Sequence, residues 1–158
     1  MIRVFRIIKK RYVSDAFSGK GALSRGGRWH RPGSLVVYTA SSEPLAALET
    51  LVHVEPSELP DDLVIIPAEI PDDLKIGKIN RARLPKAWNS YPAPGVLQDI
   101  GDEWLSKKQS AVLCVPSAII STVNNYLLNP LHEEFSRINI KRKELMPFIF
   151  NKRLLKKT

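Results

Sequence analysis

One cysteine and three histidines in 158 residues remove several kinds of chemistry at the outset. Cys114 has no second thiol to pair with, which excludes an internal disulfide and fits a reducing cytoplasm. It lies in the apolar run Ala111–Val115 and reads as a buried structural thiol. His30, His53 and His132 are scattered and offer no metal-ligand spacing. No stretch approaches the roughly 20 apolar residues of a membrane span. The start, Met1-Ile2-Arg3-Val4-Phe5-Arg6, does not read as a signal peptide. A cytoplasmic chain with no membrane association is therefore expected. No GxGxxG occurs, which argues against a dehydrogenase. Internal repeats and low-complexity linkers are also missing, so residues 1–158 read as a single domain.

The composition is that of an ordinary globular protein, 44% hydrophobic and 25% charged, but the charge is unevenly placed. Residues 1–31 carry nine Lys/Arg and one acid (+8), and residues 137–158 carry eight and one (+7). The middle carries seven Lys/Arg and fourteen acids (−7), which gives the net +8. If the two basic ends meet, they form a surface for nucleic acid, a phosphate-bearing small molecule or an acidic partner. The tail Lys152–Lys157 also reads as simply solvated.

Short strands are expected at Ile2–Ile8, Leu35–Thr39, Ala111–Val115 and Met146–Phe150. An interrupted one is expected over Leu63–Ile66 and Ala68–Ile70. Asp15–His30, rich in Gly, Ser and Arg, reads as a loop, as does the aromatic stretch Pro85–Gly95. Val96–Lys107 is amphipathic, and Leu127–His132 reads as a turn into a short helix. Trp29, Trp88 and Trp104 read as packing, and Asn129 and His132 as turn and cap residues. Irregular alternation of this kind suggests an α+β fold and not a repeating βαβ unit.

The segment from Ser42 to His53 opens with a capping serine and an early proline, a helix start. Leu45, Leu48 and Val52 form its apolar stripe, and Glu49 falls on the stripe's edge. A carboxylate there is either a rim residue that reaches solvent or an arginine, or a group held for use. Upstream, Ser24-Arg25-Gly26-Gly27-Arg28-Trp29-His30 is either a tight loop with solvated arginines or a ligand loop. In the second case its glycines allow close backbone approach and Arg28 grips a phosphate. Tyr38 follows in a strand, where half-core packing is the plain alternative. A strand running into a helix can place Arg28, Tyr38 and Glu49 around one cleft. An aromatic ring, a cation and a carboxylate suit a dinucleotide cleaved at its ribose, through an oxocarbenium-like state. Ser117 ends a buried strand after a proline and reads as a hydrogen-bonding group or a turn serine, not as an acyl nucleophile.

Five stretches taken in order resemble the RES domain family: Gly26-Gly27-Arg28-Trp29, Val36–Ser41, Leu45–Glu49, Val115–Ala118 and Leu128–His132. The resemblance runs from Arg6 to Arg153. It implies an ADP-ribosyltransferase-like architecture, with a mixed sheet core and short helices. It implies a toxin of a bacterial type II module, paired with an Xre-type helix-turn-helix antitoxin that alone contacts DNA, and a possible homodimer within that complex. The implied activity is NAD depletion by hydrolysis or phosphorolysis, or ADP-ribosylation of a protein, with NAD as a consumed substrate and no resident cofactor. The implied site residues are Arg28, Tyr38, Glu49 and Ser117, with Arg6 or the nearby Arg3 as an N-terminal arginine. Arg28 would hold the diphosphate or the adenosine-side ribose, and Tyr38 would stack on nicotinamide. Glu49 would hold a ribose hydroxyl and steady the cation, with Ser117 orienting Glu49 or the ribose. The residues also leave open a basic nucleic-acid-binding or ribonuclease toxin, which lacks a recognisable RNA-binding motif here, and a non-enzymatic interaction module.

Overall fold

The computed structural model describes residues 1–155; Lys156 and Lys157 of the basic tail lie outside them. Among the described residues, eight strands and two α-helices, with short 3-10 turns between them, follow the order β1 (Ile2–Lys9), β2 (Val37–Ala40), α1 (Glu43–Leu51), β3 (Leu63–Ile70), β4 (Ile76–Lys78), α2 (Gly95–Ser106), β5 (Val112–Pro116), β6 (Asn124–Leu128), β7 (Asn139–Ile140) and β8 (Met146–Phe148). The strands form one sheet in the order β4-β5-β6-β2-β1-β3-β7, and β8 also pairs with β3. Only β4 and β5 run parallel; every other pair is antiparallel. The architecture is therefore α+β with a mixed sheet, as the sequence suggests. No helix among the described residues is long and apolar enough to cross a membrane.

Three clusters of buried side chains hold the sheet. The largest joins Val4, Val37, Ile66, Ala68 and Leu128 to Phe17 from the long first loop. A second packs α2, through Leu97, Trp104 and Leu105, on Leu113, Val115 and Leu127, with Trp29 beside them. The third is small: Leu45 and Ala46 of α1 against Ala40, flanked by Phe5 and Ile7. Trp29 and Trp104 are buried packing residues, as expected, and the Trp104 indole donates to Ser110 Oγ (2.9 Å). Asn129 and His132 also behave as expected. Asn129 Oδ1 accepts from the Leu131 amide (3.1 Å), and His132 Nδ1 accepts from the Glu134 amide (3.1 Å).

Several expectations are corrected. The strand around Pro67 is continuous, not interrupted. β7 takes Ala68 and Glu69, and β8 takes Leu63 to Ile65, so Pro67 falls in the gap between them, where its missing N–H is not called on. Leu127 and Leu128 are the end of β6, a strand that polar Asn124 and Asn125 conceal from a hydrophobicity reading. The last strand stops at Phe148, two residues early. Val52 is 60% exposed, so the buried face of α1 is Leu45 and Ala46, with Leu48 half-buried. Cys114 is half-buried rather than enclosed. Its thiol pKa is pushed up, chiefly by burial, which keeps it inert.

The pairing of β1 sets up the site. β1 pairs with β3 over eight residues but with β2 only at Phe5 opposite Ala40. Beyond that point the sheet is split, and a cleft opens between the two central strands. The two basic ends touch at one point: β1 lies on one edge of β3, β7 and β8 on the other, and Arg3 bonds Glu144 (2.7 Å).

Candidate active site

The split holds a cleft of about 390 Å³ lined, among others, by Arg6, Tyr38, Thr39, Glu49, His53 and Asn125. α1 starts cleanly, with Ser42 Oγ accepting from the Leu45 amide (3.3 Å) and Pro44 in the first turn. Leu45 and Ala46 then press the helix onto the sheet, and Glu49, one turn further on, faces the same way.

Glu49 is held from the neighbouring strands. Its Oε1 accepts from Ser117 Oγ (2.7 Å) and from Asn125 Nδ2 (2.6 Å). Ser117 follows the last residue of β5 and is fully buried. Its hydroxyl oxygen also accepts from the amides of Ile119 and Ile120, both at 3.1 Å, so its one proton is committed to Glu49. No donor among the described residues reaches Glu49 Oε2. The edge-of-stripe glutamate is thus a buttressed carboxylate with one oxygen spoken for and one unpaired.

Arg6 sits on β1 and is the N-terminal arginine of the cleft; Arg3 points instead to Glu144. Arg6 Nη1 donates to the Tyr38 carbonyl across the split (3.0 Å). Burial pushes its pKa down to about 10. Arg6 Nε and Asn125 Oδ1 are the two buried side-chain polar atoms without a partner among the described residues, and both residues line the cleft.

Tyr38 is fixed by its hydroxyl. His30 Nε2 faces the carbonyls of Ala22 (3.1 Å) and Arg25 (3.0 Å) and so carries the ring hydrogen. His30 Nδ1 must then accept from the Tyr38 hydroxyl (2.7 Å), which in turn accepts from the Trp29 amide (3.3 Å). Burial drives the Tyr38 pKa upward, so it is a neutral phenol. The double glycine serves this packing: a Cβ on Gly27 would lie 2.6 Å from the Tyr38 hydroxyl oxygen. Gln98 of α2 caps the same loop through the carbonyls of Gly27 (3.0 Å) and His30 (3.1 Å).

Arg28 is half-buried. Its Nη1 donates to the carbonyls of Trp88 and Ser90, both at 2.9 Å, which ties it to the aromatic loop. Its pKa is lowered by burial, while the nearby charge of Glu49 acts in the opposite direction. The structure therefore brings Arg6, Tyr38, Glu49 and Ser117 to one place, with Arg28 at its margin and close enough to sense Glu49. Asn125 and His30 were not legible in the sequence. Asn125 stands in an asparagine pair on an unrecognised strand, and His30 acts through a contact that no spacing reveals.

The RES domain profile matches residues 3–151, so the chain belongs to the RES domain family. Among curated proteins it is 39% identical over 151 residues to a "Toxin Res" of Yersinia enterocolitica, covering 96% of this chain and 98% of that one. It is 34% identical over 148 residues to a "Prs ADP-ribosylating toxin" of Sphingobium, covering 92% and 91%. A chain in the crystal structure of the M. tuberculosis MbcT–MbcA toxin–antitoxin complex has the same fold, with TM-score 0.71 at 15% identity over 97% of this chain and 86% of that one.

Proposed function

We propose that the chain is the toxin of a toxin–antitoxin pair, and that it binds NAD in the cleft and breaks the nicotinamide–ribose bond. The observation that carries this reading is the state of Glu49, anchored through Oε1 by Ser117 and Asn125 with Oε2 unpaired. As nicotinamide leaves, positive charge builds on the ribose ring, and a pre-oriented carboxylate stabilises it without reorganising. Arg6 and Arg28 supply the positive charge a diphosphate needs, and the fixed Tyr38 ring supplies an aromatic wall. NAD is consumed in this scheme and needs no resident cofactor. The names of the Yersinia and Sphingobium relatives support a toxin, and the latter supports ADP-ribose transfer as the underlying chemistry.

Transfer to a protein is the second reading favoured by that relative. Water, phosphate and a protein side chain are then alternative acceptors for one cleavage step. A ribonuclease reading is weaker, because the basic ends meet across β3, whereas the buttressed carboxylate lies under α1. The partner would be an Xre-type antitoxin that covers the cleft entrance. Expression of the chain alone should stop growth and lower cellular NAD, and co-expression of the neighbouring antitoxin gene should restore both. Glu49→Ala should relieve toxicity while still binding the antitoxin. Full toxicity of that variant with cellular NAD unchanged would defeat the NAD reading and favour an RNA target.

A further inference from the structure

The amide of Asn125 has two ends with different fates. Its nitrogen lies 2.6 Å from Glu49 Oε1. A carboxylate oxygen only accepts, so the nitrogen and not the oxygen of the amide must face it. This fixes the orientation of Asn125 and turns Oδ1 away from Glu49. That Oδ1 is buried and finds no donor among the described residues, although Asn125 lines the cleft. Leaving a buried acceptor unpaired forfeits its hydration with nothing in return. Leucine or valine would complete β6 without that cost, since the strand continues with the apolar Leu127 and Leu128.

The backbone makes the placement firm. Asn125 pairs with Val115 of β5 on one side and with Ala40 of β2 on the other, and Ala40 in turn faces Phe5 of β1. This row crosses the sheet at the last β1–β2 pair, where the split begins. Asn125 therefore stands at the head of the cleft, beside the carboxylate, on a strand braced by two neighbours.

We propose that Asn125 is both a positioning and a substrate-reading residue: Nδ2 locks Glu49, and Oδ1 accepts a hydrogen bond from a hydroxyl of the ribose whose glycosidic bond is cleaved. A ribose hydroxyl is a donor of the right kind. Glu49, 2.6 Å away through the amide nitrogen, is the group placed to act on that same ring. The two functions couple, because a ribose hydroxyl bound to Oδ1 polarises the amide and strengthens its grip on Glu49. This inference rests on the reading that the cleft holds NAD.

The test pairs substrate and enzyme changes. Wild type and Asn125→Ala are assayed on NAD and on analogues lacking the 2′- or the 3′-hydroxyl of the nicotinamide-side ribose, with thermal melting as a check on folding. Removing a hydroxyl that meets Oδ1 should cost wild type about tenfold or more in kcat/KM, equivalent to about 1.4 kcal/mol or more. In Asn125→Ala the penalty for that same hydroxyl should largely vanish, while the other keeps its wild-type penalty. Asn125→Asp retains an acceptor toward the cleft but sets a second carboxyl against Glu49, where the two must share a proton. It should therefore keep discrimination against the deoxy analogue while losing kcat. Equal penalties for both analogues in wild type and Asn125→Ala would overturn the substrate-reading role even though wild type consumes NAD. A wild-type enzyme that leaves NAD intact would remove the NAD reading and this inference together.

Discussion

Ser117 Oγ donates to Glu49 Oε1 at 2.7 Å across 68 positions of sequence. The hydroxyl is fully buried and itself held by two backbone amides, so the serine is a rigid prop and not a nucleophile in waiting. Ser117→Ala should lower kcat about 10- to 100-fold, the scale of one hydrogen bond to a charged group. KM for NAD should change little, because the serine reaches substrate only through Glu49. A variant that lost affinity and kept kcat would place Ser117 on the substrate itself.

Arg6 is a buried cation whose Nε is unpaired, and burial has lowered its pKa to about 10. Because folding lowers this pKa, the penalty is fully present below about pH 10 and fades as the pH rises from there toward the ordinary arginine value. At neutral pH Arg6 is therefore a buried charge with no ion-pair partner among the described residues. Arg6→Met should leave the melting temperature unchanged or raise it, and should abolish measurable NAD binding in calorimetry. A large loss of stability with binding retained would make Arg6 a structural strut.

Arg28 and Arg31 are three residues apart and differ in use. Arg31 pairs at the surface with Asp99 (2.7 Å) and Asp102 (3.3 Å), and such exposed, solvent-screened pairs contribute little. Arg31→Lys should be close to wild type in NAD consumption. Arg28→Lys should be strongly impaired, since an ammonium cannot hold the carbonyls of Trp88 and Ser90 and also meet a phosphate in a planar fork. Equal tolerance at both positions would reduce Arg28 to part of a diffuse basic surface.

The Tyr38 wall depends on contacts made away from the cleft, at its hydroxyl and behind its loop. Tyr38→Phe leaves His30 Nδ1 unsatisfied and should cost about 1–3 kcal/mol, roughly 2–12 °C in Tm. Gly101→Ala should do more damage, because its Cβ would fall 1.6 Å from the Trp29 carbonyl oxygen and drive α2 off the loop that seats Tyr38. The expected loss is at or above the upper end of the roughly 1–3 kcal/mol usual for overpacking. Differential scanning calorimetry of both variants checks the order.

What could be read from the chain depended on the range of the contact. α1 announces itself through Ser42 and Pro44, and α2 through its apolar spacing, because caps and periodicity are local. Glu49 was visible as a charge out of place on a helix face. Its anchoring by Ser117 and Asn125 was not, since those bonds span 68 and 76 positions and depend on sheet order. β6 was hidden because it opens with two asparagines, Asn124 bonded to Arg81 and Asn125 lining the cleft. Pro67 misled for the opposite reason, since a proline inside a strand is tolerated only where neighbouring strands leave a gap. The family resemblance pointed to Arg28, Tyr38, Glu49 and Ser117, while the reason for Gly27 lies in the Tyr38 hydroxyl above it.

The most direct measurement is to incubate purified wild-type protein and Glu49→Gln with NAD, with and without phosphate, and to identify the products by mass spectrometry. The glutamine retains an oxygen for Ser117 and Asn125 to bond but lacks the charge proposed to stabilise the ribose cation. Wild type should release nicotinamide together with ADP-ribose or its phosphorylated form. Glu49→Gln, folded to the same melting temperature, should be slower by about 10²–10³, the usual loss for one electrostatic group in the transition state. Nicotinamide release at the wild-type rate by Glu49→Gln, or none from either protein, would contradict the account.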